Sequence, residues 1–423
     1  MRICVFEDRG VERLEPLTLT RPAFDLWGGF TSLLERQQRH FGATATAVLV
    51  RPPLVDWCRQ SHADLPVNDP TALRAGADVL VNARWLAPVG KPALGGPHVG
   101  LTDGQIAYVV LPPGRPIDAD PATIDTWLER CVEGLPRREG GGRMIDYPWS
   151  FVALSDEAFA GFELPAEQRS QYHRPKQVTV IGPEDRLFVH KDAQVDPLVV
   201  ADTTGGPVVV EREAIVKAFS RLEGPCYIGR GTWLMRARVS GSTIGPVCRI
   251  GGDVEVSVIQ GYSNKGHEGF IGHSYLGEWV NLAAGTQVSD LRTDYGEVLM
   301  TVGGQKVGTG MSKVGCFLGD HTKTGINALL NTGTMTGVFC YLFPSNLLPP
   351  RVIPSFCGFS RGQLQEEGDL EELFATAARV MQRRKLDLTD VQKSYYRWLA
   401  EHTSQGRQQA LREQQLRSQR PSR

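Results

Sequence analysis

The chain has 423 residues, with 46 Lys and Arg against 47 Asp and Glu and a formal net charge of −1. That balance argues against nucleic acid as a partner, and no apolar run reaches the roughly 20 residues of a membrane span. The length calls for two or three domains. The opening MRICVFEDRG carries charges where a secretory leader needs an apolar core, which together with eight Cys lacking any CxxC pair predicts reduced thiols in a cytoplasmic protein.

Residues 1–180 read as an α/β domain. Short apolar runs at 3–6, 45–50, 79–81 and 106–110 alternate with helix-like segments at 29–40 and 54–59. This alternation predicts a mostly parallel sheet covered by helices. A Gly-rich patch, EGGGR at 139–143, precedes YPWSFV, and the stretch to about residue 176 reads as a link.

From 187 to 360 a six-residue beat dominates. One aliphatic residue recurs at Val210, Val216, Leu222, Ile228 and Leu234, then at Ile244, Ile250 and Val256. It returns at Leu276, Leu282 and Val288, and again at Leu318, Thr324, Leu330, Thr336 and Leu342. Neither a helix nor a half-buried strand has this period, but a hexapeptide parallel β-helix does. The α/β domain is expected to cover the first coil and the Pro-rich run at 343–356 to close the last, since Pro removes ladder donors. Residues 361–423 read as a helical tail, with Leu370, Phe374, Ala377 and Met381 on one face and Tyr395, Trp398 and Leu399 on another; the Gln- and Arg-rich end is expected to be disordered.

The beat breaks twice, at the polar stretch holding Lys265 and His267 and over about 30 residues between Val288 and Leu318. Expelled loops of a solenoid often carry its binding face. His267 suits a general base, taking a proton from an ammonium or hydroxyl as it attacks. Asp253, one coil earlier, either fixes the imidazole tautomer or is a solvated corner residue. His267, His273 and His321 leave a rival open, a β-helix trimer with interfacial Zn²⁺ in the manner of a carbonic anhydrase, although a one-beat spacing turns the first two toward different faces. A non-catalytic scaffold is a third reading.

The stretch SNKGHEGFIGHSYLGEWVNLAAGT at 263–286 resembles the acyltransferase domain of the bacterial bifunctional family that makes UDP-N-acetylglucosamine. In that family a nucleotidyltransferase domain precedes a left-handed parallel β-helix. The resemblance extends to SNKGHEGFIG, GEWVNLAA and GDHTKTGIN and covers most of residues 1–385. It implies acetyl transfer from acetyl-CoA to the amine of a hexosamine 1-phosphate, with His267 as base. It further implies acceptor contacts from Arg238, Lys265, Phe270, Asn281 and Asp290, and acyl-CoA contacts from Ala284, Gly285, Lys313 and Lys323. The chain departs from the family where a phosphate-binding Lys falls on Glu255, a Tyr on Phe270 and an Asn on Asp290.

At the N-terminus RLEPLTLTRPAFDLWGG resembles the nucleotidyltransferase signature, which implies nucleotide contacts from Asp8, Arg13, Thr20, Arg21 and Asn82, with Mg²⁺ if that domain is active. The Gly-rich phosphate loop is reduced to DRGVE, Ala23 stands near the signature Lys, and Asn82 and Ala83 stand where a Gly-Asp would supply a metal ligand. A degenerate, non-catalytic domain is the alternative. Sites along the edges of a prism, with short loops, predict a homotrimer that shares them.

Overall fold

The structure, a computed structural model, describes residues 1–418. It divides into two compact units, one of residues 1–150 and 156–161, the other of residues 151–155 and 162–423.

The first unit is built on a six-stranded sheet in the order Ala45–Leu49, Arg2–Phe6, Val79–Asn82, Gln105–Val110, His98–Thr102 and Arg137–Glu139. The first three strands are parallel, as the alternation predicts. Gln105–Val110 alone runs antiparallel to both of its neighbours, and Arg137–Glu139 is again parallel to His98–Thr102, so the sheet is mostly parallel with one reversed strand. The cause is local: Asp103 and Gly104 take φ of 51° and 74°, the left-handed pair that a two-residue hairpin requires. Cys4, Phe6, Leu80, Val99 and Val109 form a core with Trp127 and Leu128.

The second unit contains a parallel β-helix. Three ladders run its length, and successive coils visit them in turn. The first is a ten-stranded sheet from Tyr172–His173 to Val352–Ile353. The second includes Trp233–Leu234 of one strand, then Asn264–Lys265, Lys323–Thr324 and Tyr341–Leu342. The third includes Arg221–Glu223 and Phe270–Gly272, with Arg238 and Asp253 in register between them. A coil typically takes about three hexapeptides, as where Val208 pairs with Cys226 on the next coil. The aliphatic beat lines the interior at Val210, Val216, Leu222, Ile228, Leu234, Ile244, Ile250, Leu276, Leu282, Val288, Leu318, Leu330 and Leu342. Val256 is the exception. Its coil is shorter, with Thr243 already paired to Val258. Val254 therefore fills the core, and Val256 turns the corner at a φ of 44°.

The corners follow a pattern of their own. Tyr262, Trp279, His321, Phe339 and Phe356 all have φ between 53° and 60°. Each turns the corner from first to second ladder, and their rings stack in succession with interplanar angles of 9–17°. Helices Leu370–Gln382 and Asp390–His402 cover this edge. Phe374 packs edge-on to Phe339, and the rings of Tyr396 and His321 lie 5.7 Å apart. Leu373 joins Phe374, Ala377 and Met381 on the buried face, while Tyr396 rather than the exposed Trp398 fills the second contact.

The last coil is closed differently from expectation. Cys357–Ser360 folds back antiparallel onto Gln363–Glu366, and the Pro-rich run before it supplies a loop, the last strand of the first ladder and the corner at Phe356. A third helix, Ser404–Ser418, then lays Ala410 and Leu411 against the core, while Arg407 binds Glu366 at 2.6 Å. The expected disordered end is thus helical to residue 418, and residues 419–423 lie outside the described residues. None of the helices described is long and apolar enough to cross a membrane.

Candidate functional site

Residues 266–269 leave the second ladder after Asn264–Lys265 and re-enter the third at Phe270–Gly272. Lys265 explains how this loop is held. Its side chain is buried, and Nζ donates to the carbonyls of Gly251 (2.9 Å) and His267 (2.8 Å). Burial pulls the ammonium down to about 8, against the opposing charges of Asp253 and Glu268. Gly269 is required beside it, because its φ is 131° and a Cβ would lie 2.1 Å from the Thr286 carbonyl oxygen. His267 is left exposed at the tip. Lys265 is therefore a positioning group under the loop and not the surface cation that a substrate phosphate would need.

Asp253 is also exposed. It meets the loop through its backbone N–H, which donates to the Gly269 carbonyl at 3.1 Å. Among the described residues its carboxylate makes no hydrogen bond to the His267 ring, so of the two readings of Asp253 the solvated corner is the one the geometry follows. Asn281 continues the second ladder between Asn264 and Lys323, and its side-chain oxygen accepts from Asn264 at 2.7 Å. Lys323 lies 5.1 Å from the centre of the Tyr341 ring and donates to the His321 carbonyl at 3.2 Å; burial lowers it to about 8. Ala284 and Gly285 turn the next corner, with the side-chain oxygen of Asn327 seated where a Cβ of Gly285 would stand. Beside Asn327 opens a cavity of about 170 Å³ lined by Leu329, Leu342, Phe343 and Leu347.

The remaining acceptor candidates gather elsewhere, across the third ladder and at its far edge. Arg238 donates to Glu223 at 2.7 Å and lies 3.7 Å from Glu255, and Lys313 approaches Glu255 at 3.8 Å. Burial alone would raise Glu223, but hydrogen bonds from Arg238 and Arg221 outweigh it and bring the carboxyl to about 2. Lys313 therefore belongs with Glu255 and Arg238, apart from Ala284 and Gly285 with which the resemblance groups it. Phe270 folds its ring over Gly272, where a Cβ would lie 2.5 Å from the ring and 2.4 Å from Asp290. Asp290 in turn accepts from Nδ1 of His273 at 2.7 Å. Sequence reasoning names His273 only as a metal candidate and misses this pair. The available signal is its separation of 17 positions, about one coil.

The three imidazoles do not converge. His267 lies at the corner between second and third ladders, His273 at the corner after the third, and His321 inside the ring stack with Nε2 3.2 Å from the Tyr396 hydroxyl. Among the described residues no group of three His, Cys, Asp or Glu could hold a metal ion. Burial of His321 removes one ligand from the interfacial Zn²⁺ reading.

In the first unit the nucleotide candidates surround a residue that sequence reasoning passes over. Arg84 is buried, and its guanidinium forks onto Asp8 with two bonds of 2.7 Å. Its other donors reach Ile145 O, Asp146 and Gln105 at 2.9–3.0 Å. Asn82 donates to Asp8 at 2.8 Å and Arg13 to Asp146 at 2.7 Å. A Cβ on Gly10 would lie 2.3 Å from the guanidinium carbon, so DRGVE closes over Arg84. Thr20 and Arg21 are both buried. Mg²⁺ does not fit here, because the carboxylates that would ligate it already neutralise an internal cation.

A family model described as sugar nucleotidyl transferase matches residues 3–163. The chain is 39% identical over 98 residues to a bifunctional sugar-1-phosphate nucleotidylyltransferase/acetyltransferase of Sulfurisphaera tokodaii, covering 23% of this chain and 24% of that protein. It is 27% identical over 112 residues to the bifunctional protein GlmU of Methanocaldococcus jannaschii, covering 26% and 27%. The match thus spans about a quarter of each relative. A solved acetyltransferase domain of PglB from Neisseria gonorrhoeae aligns with 71% of this chain and 91% of its own at 12% identity, but a TM-score of 0.17 is too low to argue from. The chain is thus similar to sugar nucleotidyl transferases across its first unit, and over a shorter segment to bifunctional proteins that pair that activity with acetyl transfer.

Proposed function

We propose that this protein is an acyltransferase that moves an acetyl group from acetyl-CoA to the amine of a hexosamine 1-phosphate or a related sugar nucleotide. The reaction takes place on the β-helix. The observation that carries this reading is the loop at 266–269, an exposed imidazole on a backbone fixed by the buried Lys265. His267 takes the proton from the attacking amine. Asn281 and Arg238 contact the acceptor, while Ala284 and Gly285 flank the donor. The apolar cavity beside Asn327 suits the aliphatic arm of the coenzyme.

The first unit, with Arg84 neutralising Asp8 and Asp146, holds a sugar nucleotide without Mg²⁺-dependent nucleotidyl transfer. We place the protein in the cytoplasm, where its eight free and buried thiols stay reduced, and expect a homotrimer. Acetyl-CoA offered with a panel of hexosamines, their 1-phosphates and their nucleotide forms, with products weighed by mass spectrometry, tests the reading. One acetylated acceptor supports it; acetylation of none overturns it.

A further inference from the structure

Among the described residues His267 has no carboxylate bonded to its ring, yet six residues on stands an imidazole that does. His273 and Asp290 sit on neighbouring coils at one corner, joined by a 2.7 Å bond from Nδ1 to Oδ2. Their side chains are only 11% and 12% exposed. A carboxylate so placed fixes the tautomer with Nδ1 protonated, leaving Nε2 as acceptor. Nε2 makes no hydrogen bond among the described residues. It is also absent from the fully buried polar atoms that lack a partner, so it keeps contact with solvent.

The backbone holds the pair firmly. His273 N donates to Glu255 O at 3.0 Å, Gly315 N to His273 O at 2.8 Å and Val314 N to Asp290 O at 2.7 Å. The stem of the second insertion, where Leu291 bridges Lys313, rises beside it. Phe270 folds toward Asp290, and Glu255, Lys313 and Arg238 occupy the adjoining surface.

We propose that His273, oriented by Asp290, is a second general base for acyl transfer, serving the third ladder from the edge opposite His267. The inference rests on the acyltransferase reading above. Nε2 of His273 accepts a proton from the acceptor amine or hydroxyl while that nitrogen or oxygen bonds to the thioester carbonyl carbon. The C–S bond then breaks, and the proton passes from the imidazolium to the leaving thiolate. No oxidant or reductant enters.

The test uses the full chain, acetyl-CoA and the hexosamine panel, following thiol release. For those acceptors of the panel that react at the far edge of the third ladder, His273→Ala is expected to lower kcat by about 10²–10⁴-fold with an unchanged KM for acetyl-CoA, and free imidazole to restore part of that rate. Asp290→Asn, which keeps the volume, is expected to lower kcat with no rescue by imidazole. Wild-type turnover with an undiminished kcat in both variants overturns the second base and leaves the acyltransferase reading standing. A loss in His273→Ala that imidazole does not repair, while Asp290→Asn is unaffected, also overturns it. Failure of the wild type to release thiol with any acceptor overturns both.

Discussion

At Lys265 an ammonium lies under a loop, and its worth is positional. Replacing it with Met keeps the stem but leaves the carbonyls of Gly251 and His267 without their donor. We expect kcat to fall by up to about 10²-fold through misplacement of His267, with acetyl-CoA affinity unchanged; equal losses in both would mean that Lys265 touches the donor. Arg84 makes a different prediction. Burial pushes Asp8 up, but the bonds and charge of Arg84 outweigh it and hold the carboxyl below its ordinary value. The stability so gained is present above the unfolded value of about 3.9 and is lost as pH falls through the lower folded value. Protection from hydrogen exchange across residues 1–150, taken relative to the intrinsic rate at each pH, should therefore fall below about pH 4, and Asp8→Asn should remove that dependence. Unchanged acid sensitivity in the variant would contradict the assignment. None of this is legible in the sequence. A lysine beside a histidine reads as a surface cation, and nothing in the chain signals that Arg84 turns inward onto residues 76 and 62 positions earlier and later.

Periodicity makes the elements of the β-helix readable, because each coil buries one aliphatic residue per ladder. Legibility ends where geometry is set by backbone sign or by partners far along the chain. The turn signal at Asp103–Gly104 marks the hairpin that sets the one reversed strand in the expected mostly parallel sheet. The corner rings recur once per coil, as in Tyr262 to Trp279 and His321 to Phe339, a spacing hidden by the shorter beat and by the second insertion. That stack gives an element-scale prediction. Trp279 is 5% exposed and packs between Tyr262 and His321. Trp279→Ala should cost about 3–5 kcal/mol in denaturant unfolding of the β-helix. A cost below about 1 kcal/mol would show that the stack is incidental to stability.

For the whole molecule, the two units carry different expectations. The first is similar to sugar nucleotidyl transferases over residues 3–163, but Asp8 and Asp146 are closed onto Arg84. Mg²⁺-dependent pyrophosphate release from UTP and a sugar 1-phosphate should stay at background, and turnover in the ordinary range of about 1–10³ s⁻¹ would contradict the account. If a neighbouring subunit completes the edge sites, as proposed, sedimentation should give three times the 46.5 kDa chain mass; a fully active monomer would contradict that.

The most direct measurement is acceptor-dependent thiol release from acetyl-CoA by the full chain, made on wild type and His267→Ala with and without a chelator. The eight buried cysteines are inaccessible to a thiol reagent in the folded state and leave the signal clean. Release should need the acceptor, ignore the chelator and fall about 10²–10⁴-fold in the variant. Wild-type release in His267→Ala, or release abolished by the chelator, would contradict it.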